Sequence, residues 1–188
     1  MSAIATAITR DPTHVALLRG VNLAGNKKIA MADLKKLIAS LGFHDPQTLL
    51  QSGNVVFHCK GRTCEQIERQ IEAALQKTLG LQSHLFVRDA DEWRALVAAN
   101  PFPREAAADP SHMLVMCLRD VPKAAAVKAL QSAIVGKEVV RADGRHAYFV
   151  YPDGVGPSKL THDMIEKQFG TGTARNWNTV KKIEALFG

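Results

Sequence analysis

The chain has 188 residues, of which 46% are hydrophobic and 22% charged, with 13 Gly and 8 Pro. That composition buries a sizeable core and excludes disordered, collagen-like and fibrous classes. The net charge of +6 is spread evenly, with 12 basic against 9 acidic residues in 1–100 and the same in 101–188, so there is no basic tail and the surplus favours anionic partners through long-range attraction.

The opening MSAIATAITRDPTH lacks a basic n-region and does not read as a signal peptide. Every apolar run is broken by charge well before the roughly 20 residues of a membrane span. Residues 14–18, HVALL, have the pattern of a buried strand. A helix is expected at 31–41, with Leu34, Leu37, Ile38 and Leu41 on one stripe and Gly42 as its stop. Residues 47–51 and 54–58 flank Ser52-Gly53 and read as a hairpin. Thr63 and Gln66 have the spacing of a capping box, opening a helix that buries Ile67, Ile71, Ala74 and Leu75. A strand at 83–88 closes a β-α-β-β-α-β unit, the ferredoxin-like order.

A connecting helix is expected at 89–99, capped by Asp89 and burying Trp93, Leu96 and Val97, before a three-proline segment, 100–111, that reads as a loop between halves 1–100 and 101–188. The pattern then restarts: a strand at 113–119, a helix from Pro122 through Val127, Leu130 and Ile134, and strands at 138–141 and 146–151 joined through Asp143-Gly144. Helices at 160–169 and 176–187 follow, so the second half reads β-α-β-β-α with a helix where the closing strand would be. The expected fold is α+β, two tandem ferredoxin-like halves with antiparallel sheets. Leu18-Arg19-Gly20-Val21 and Leu118-Arg119-Asp120-Val121, at the exits of the first strand of each half, suggest a duplication.

Cys59, Cys64 and Cys117 are an odd set without a second ligand pair, which predicts neither a disulfide framework nor a zinc site; reduced thiols point to the cytoplasm. No nucleotide fingerprint and no HExxH, serine-elbow or Cys-His signature is present. Segment 19–29, RGVNLAGNKKI, can cup an anion, with Arg19, Lys27 and Lys28 for charge and Gly and Asn, Asn22 among them, for close backbone approach; it serves equally as an ordinary strand-to-helix loop. A sheet-face mode of RNA recognition is rejected, because Ser52 and Asn54 stand where stacking rings are needed. At the C-terminal helix entry, Arg175 can fork onto an anion, Asn176 reads as an N-cap and Trp177 as core. His162-Asp163 is the one adjacent His–carboxylate pair, but neighbours on a helix diverge by about 100° and form no dyad; His58 and His146 read as half-exposed.

The blocks LLRGVNLAGNKKIAMADLKKLIASLGF, TLLQSGNVVF, SKLT and TARNWNTVKKI, taken in order, resemble the bacterial family called domain of unknown function 1697. The family pattern falls on Arg19, Gly20, Asn22, Gly25, Met31, Leu34, Gln51, Ser52, Gly53, Asn54, Ser158, Lys159, Thr173, Arg175, Asn176, Trp177 and Thr179. The resemblance implies a tandem ferredoxin-like protein without an established activity.

The leading expectation is a soluble protein that binds an anionic ligand, a phosphorylated small molecule or a nucleic-acid backbone held weakly and without sequence preference, through Arg19, Asn22, Lys27, Lys28, Asn54, Lys159, Arg175 and Asn176. An enzyme in which Arg175, Asn22 and Asn54 orient such a ligand, and an interaction module using sheet edges, are the alternatives. No cofactor, metal or membrane partner is implied.

Overall fold

Apolar strands interrupted by glycine turns assemble two four-stranded antiparallel sheets, each covered on one face by its own helices. The computed structural model describes residues 11–20 and 29–188. In the first half β1 (His14–Leu18), α1 (Met31–Ser40), β2 (His44–Leu49), β3 (Asn54–His58), α2 (Cys64–Leu79) and β4 (Leu85–Asp89) give a sheet of order β2-β3-β1-β4. Helices α3 (Ala90–Ala98) and α4 (Pro103–Ala108) lead into β5 (Met113–Leu118), α5 (Ala124–Ala133), β6 (Val139–Asp143), β7 (His146–Val150), α6 (His162–Phe169) and β8 (Gly172–Asn176). The second sheet runs β6-β7-β5-β8, and α7 (Trp177–Glu184) with a final 3-10 turn ends the chain.

Local chemistry accounts for most boundaries. Thr63 caps α2 as half of a complete capping box with Gln66, and Gly80 takes the left-handed conformation at its end, φ +61°. Asp89 and Asn176 cap α3 and α7 in the same way, accepting from Glu92 N at 2.7 Å and Thr179 N at 3.0 Å.

Alternation splits each sheet between two cores. Ala16, Leu18, Val55, Phe57, Leu85 and Val87 face α1 and α2, while Val15, Leu17, Val56 and Phe86 face the other half. There they join Val115, Cys117, Tyr148 and Val150 of the second sheet and Trp93, Leu96, Trp177, Val180 and Ile183 of α3 and α7 in one central core. The outer face of the second sheet, with Met116, Leu118 and Phe149, packs on α5 and α6. Both faces of both sheets are therefore covered, which is why HVALL is buried throughout and apolar from Val15 to Leu18 although its sheet is antiparallel.

Three expectations are corrected. The closing strand of the second half exists: β8 pairs with β5 in the register Val115↔Arg175 and Cys117↔Thr173. Its sequence, GTARN, carries no alternating apolar signal, and strand structure follows from the unfilled edge of β5. The proline-rich segment contains α4, with Pro103 in its first turn where a missing N–H costs nothing, and Phe102 and Ala106 are buried in the central core, so it is no free linker. His58 and His146 are buried at 9% and 5% exposure rather than half-exposed. The imidazole of His146 accepts a bond from Arg88 Nε at 2.9 Å, a partner that the sequence alone does not supply.

Candidate functional site

The two halves meet through a pair of arginines in equivalent positions. Arg88 stands opposite Val15 on β1, and Arg175 opposite Val115 on β5. Arg88 donates from Nη2 to Leu118 O at 2.7 Å, from Nη1 to Val87 O at 2.8 Å and from Nε to His146. Arg175 repeats this from the other side: Nη2 to Leu18 O at 2.9 Å and to Ser52 O at 2.9 Å, Nη1 to Ala174 O at 2.8 Å and to Thr173 Oγ1 at 2.9 Å, and Nε to Asn54 Oδ1 at 2.5 Å. Leu17 pairs with Asn54 and Cys117 with His146, so these two acceptors are also equivalent.

The charges around the two arginines differ. Arg88 meets a carboxylate four residues on, Glu92 Oε1, at 3.1 Å, and Glu92 also holds Arg145 at 2.7 Å. Four residues beyond Arg175 stands Thr179. All partners of Arg175 are neutral, and burial lowers its pKa to about 10. Burial together with the positive charges of Arg88 and Arg145 pushes the His146 pKa down to about 3, so this ring is a neutral acceptor.

Beside Arg175, between the halves, opens a cleft of about 1240 Å³. Leu18, Arg19 and Ser52 line it at the strand ends of the first half, Glu72 and Gln76 from α2, and Ser83 and His84 at the entry to β4. His162, Thr173, Arg175, Asn176 and Thr179 close it from the second half. Arg19 spans the halves by pairing with Glu166 of α6 at 2.8 Å and contacting His162 Nε2 at 3.2 Å. Its equivalent, Arg119, pairs with Glu68 and Glu72 of α2 at 2.8 and 3.1 Å. The four-residue echo Leu18–Val21 and Leu118–Val121 thus marks two arginines with matching cross-half partners.

Of the residues singled out from sequence, Arg19, Arg175 and Asn176 line this cleft, and Asn54 is fully buried behind it, orienting Arg175 and donating to Leu49 O and Ser52 Oγ. Asn176 is occupied as the α7 cap. Lys159 is not brought there; it lines a separate pocket of about 250 Å³ with Lys137, Glu138, Asp153 and Ser158. Asn22, Lys27 and Lys28 lie outside the described residues. Sequence reasoning missed Arg88, for which an arginine inside the apolar run LFVRD was the available signal, and it missed Glu72, Gln76 and His84, for which there was none.

Cys59, Cys64 and Cys117 are free and buried, and burial pushes the Cys64 thiol up to about 11, far from a reactive thiolate. Among the described residues no group of three or more His, Cys, Asp or Glu side chains is arranged to hold a metal ion, and no helix is long and apolar enough to cross a membrane.

Residues 12–148 match the model of a family described as protein of unknown function, DUF1697. The chain belongs to this family. The SKLT and TARNWNTVKKI blocks lie beyond the matched residues, and so do Arg175 and the second wall of the cleft. A solved structure described as that of conserved bacterial protein SP0830 from Streptococcus pneumoniae is similar at a TM-score of 0.70, with 17% identity over 95% of this chain and 100% of that one. At that identity the likeness concerns the fold. No curated protein matches the chain.

Proposed function

We propose that the protein binds a small anionic molecule in the cleft between its halves, with Arg175 at the floor and Arg19 at the rim. The observation that supports this is the missing carboxylate beside Arg175. Its counterpart Arg88 is neutralised by Glu92, whereas Thr179 stands at the equivalent position and faces the cleft. A desolvated guanidinium whose acceptors are all neutral favours an anion placed next to it. Because every N–H of Arg175 is already bonded, Arg175 acts through charge, and Arg19 and His162 supply side chains at the mouth. A nucleic-acid backbone fits less well: both sheet faces are buried and the cleft is a pocket between halves rather than a track. In this reading each half is ferredoxin-like, the two descend from one duplicated unit with the boundary at 100–111, Asn54 serves by orienting Arg175, Asn176 by presenting the helix entry, and the protein works in the cytoplasm.

Thermal unfolding against a panel of phosphate, nucleotide and carboxylate salts tests it. At least one anion should raise the midpoint saturably beyond sodium chloride of equal ionic strength, and Arg19→Gln should weaken the response. A panel in which no anion exceeds the chloride control overturns the reading.

A further inference from the structure

The two edge strands β4 and β8 are equivalent, but only one of them is closed. Arg19 N donates to His84 O and Ala90 N to Thr13 O, so in β4 the even-numbered residues face β1 and Leu85 and Val87 present their N–H groups outward. Both are closed by carboxylates from α2: Leu85 N donates to Glu72 Oε1 at 2.8 Å and Val87 N to Glu68 Oε1 at 2.8 Å, while Arg119 neutralises the same two side chains. In β8, Arg119 N donates to Thr171 O, and the register Cys117↔Thr173 and Val115↔Arg175 continues that phase, so the odd-numbered residues face β5 and Gly172 and Ala174 present their N–H groups outward. These two line the cleft.

The guards of the first half are not repeated. Counting from the first residue of each helix, Glu68 of α2 corresponds to Glu166 of α6, and Glu72 to Gly170, because α6 has 8 residues against 16 and stops at Phe169. Glu166 is engaged by Arg19 and His162, and α6 leans on α5 rather than on β8. Among the described residues no side chain bonds Gly172 N or Ala174 N. Ala174 O is taken by Arg175, which leaves this stretch of the edge richer in donors than in acceptors.

From this we infer that the cleft takes a carboxylate ligand, with carboxylate oxygens on Gly172 N and Ala174 N as Glu72 and Glu68 sit on Leu85 N and Val87 N. The inference rests on the anion-binding reading above and names the class of the anion. The two donors are two residues apart on one strand, about 6.8 Å, so a dicarboxylate reaches both and a monocarboxylate only one. Arg19 and Arg175 take the part that Arg119 plays for Glu68 and Glu72. The first half therefore serves as a built example of the complex, with the ligand supplied by its own helix.

The test is a titration of the 15N-labelled full chain with glutarate, acetate, inorganic phosphate and a blocked Glu-Ala-Ala-Ala-Glu peptide, following the Gly172 and Ala174 amides. Glutarate or the peptide should move both resonances saturably, and acetate should bind at least tenfold more weakly; which of the two is preferred separates a free dicarboxylate from a carboxylate-bearing chain. Ala174→Pro, which removes an outward N–H on an edge strand and no ladder bond, should weaken glutarate at least tenfold. Phosphate binding without glutarate or peptide binding overturns the carboxylate assignment and leaves the anion site standing. Carboxylate binding that leaves both amides unmoved overturns it too, whatever the proline variant does. No binding by any of the four overturns the carboxylate assignment, and the wider salt panel above decides the anion reading separately.

Discussion

Replacing Arg175 by Ala removes a guanidinium with all five N–H groups in use, two of its partner residues lying on its own strand, Thr173 and Ala174, and three across the interface between halves, Leu18, Ser52 and Asn54. Hydrogen bonds from a charged donor contribute about 1.5–3 kcal/mol each. Leu18 and Ser52 border the cleft, where water can enter and replace part of what their carbonyls lose, whereas Asn54 is fully buried. Loss of the three cross-half bonds therefore comes to about 3–5 kcal/mol, against roughly 1 kcal/mol for an exposed cation. The measurement is urea unfolding at neutral pH of wild type, Arg175→Ala and Arg175→Lys, read by tryptophan fluorescence, since Trp93 and Trp177 sit in the central core between the halves. Arg175→Lys keeps the charge but cannot reproduce the planar fork, so it should recover less than half of the loss. A loss below about 1 kcal/mol for Arg175→Ala, or full recovery by Lys, would refute the view that this residue clasps the halves.

Acid should destabilise the protein through His146. Its pKa stands near 3 in the fold and near 6.5 when unfolded, so between these pH values the unfolded chain takes up a proton that the native state refuses, and stability falls as pH drops through 6.5 toward 3. The effect is on the order of 5 kcal/mol; His146→Asn, which places at this position the residue type found at its counterpart Asn54, should flatten the slope between pH 6.5 and 4, and an unchanged slope counts against this origin. Gly172→Ala should cost about 1–3 kcal/mol, because the new methyl carbon would come within 2.8 Å of Met116 Cε and 2.9 Å of Cys117 O; an unaltered thermal midpoint would contradict that packing. Any association with DNA or RNA should be weak and sequence-indifferent and should fall steeply with salt, since only diffuse charge is on offer; retention at high salt in a filter-binding assay would overturn this.

What the sequence determined by itself is local. Periodicity located β1, α1 and β3, a complete capping box fixed the start of α2, and Asp89 and Asn176 announced the entries to α3 and α7, because each of those signals is satisfied within a few residues of chain. The tertiary structure decided what depends on distant partners. GTARN becomes a strand because β5 offers it an edge, and Arg175, legible as a cation ahead of a helix, proves to be a clasp because Leu18, Ser52 and Asn54 arrive from more than 120 residues away. The cleft was illegible for the same reason: it is a difference between two halves, Thr179 where the other has Glu92 and Gly170 where the other has Glu72, and those positions correspond only once the helices and strands of the two halves have been matched element by element. Propensity and pattern act along the chain over a turn or a hairpin, whereas the charge balance of an arginine at the interface between halves is set by whatever the fold brings to its other side.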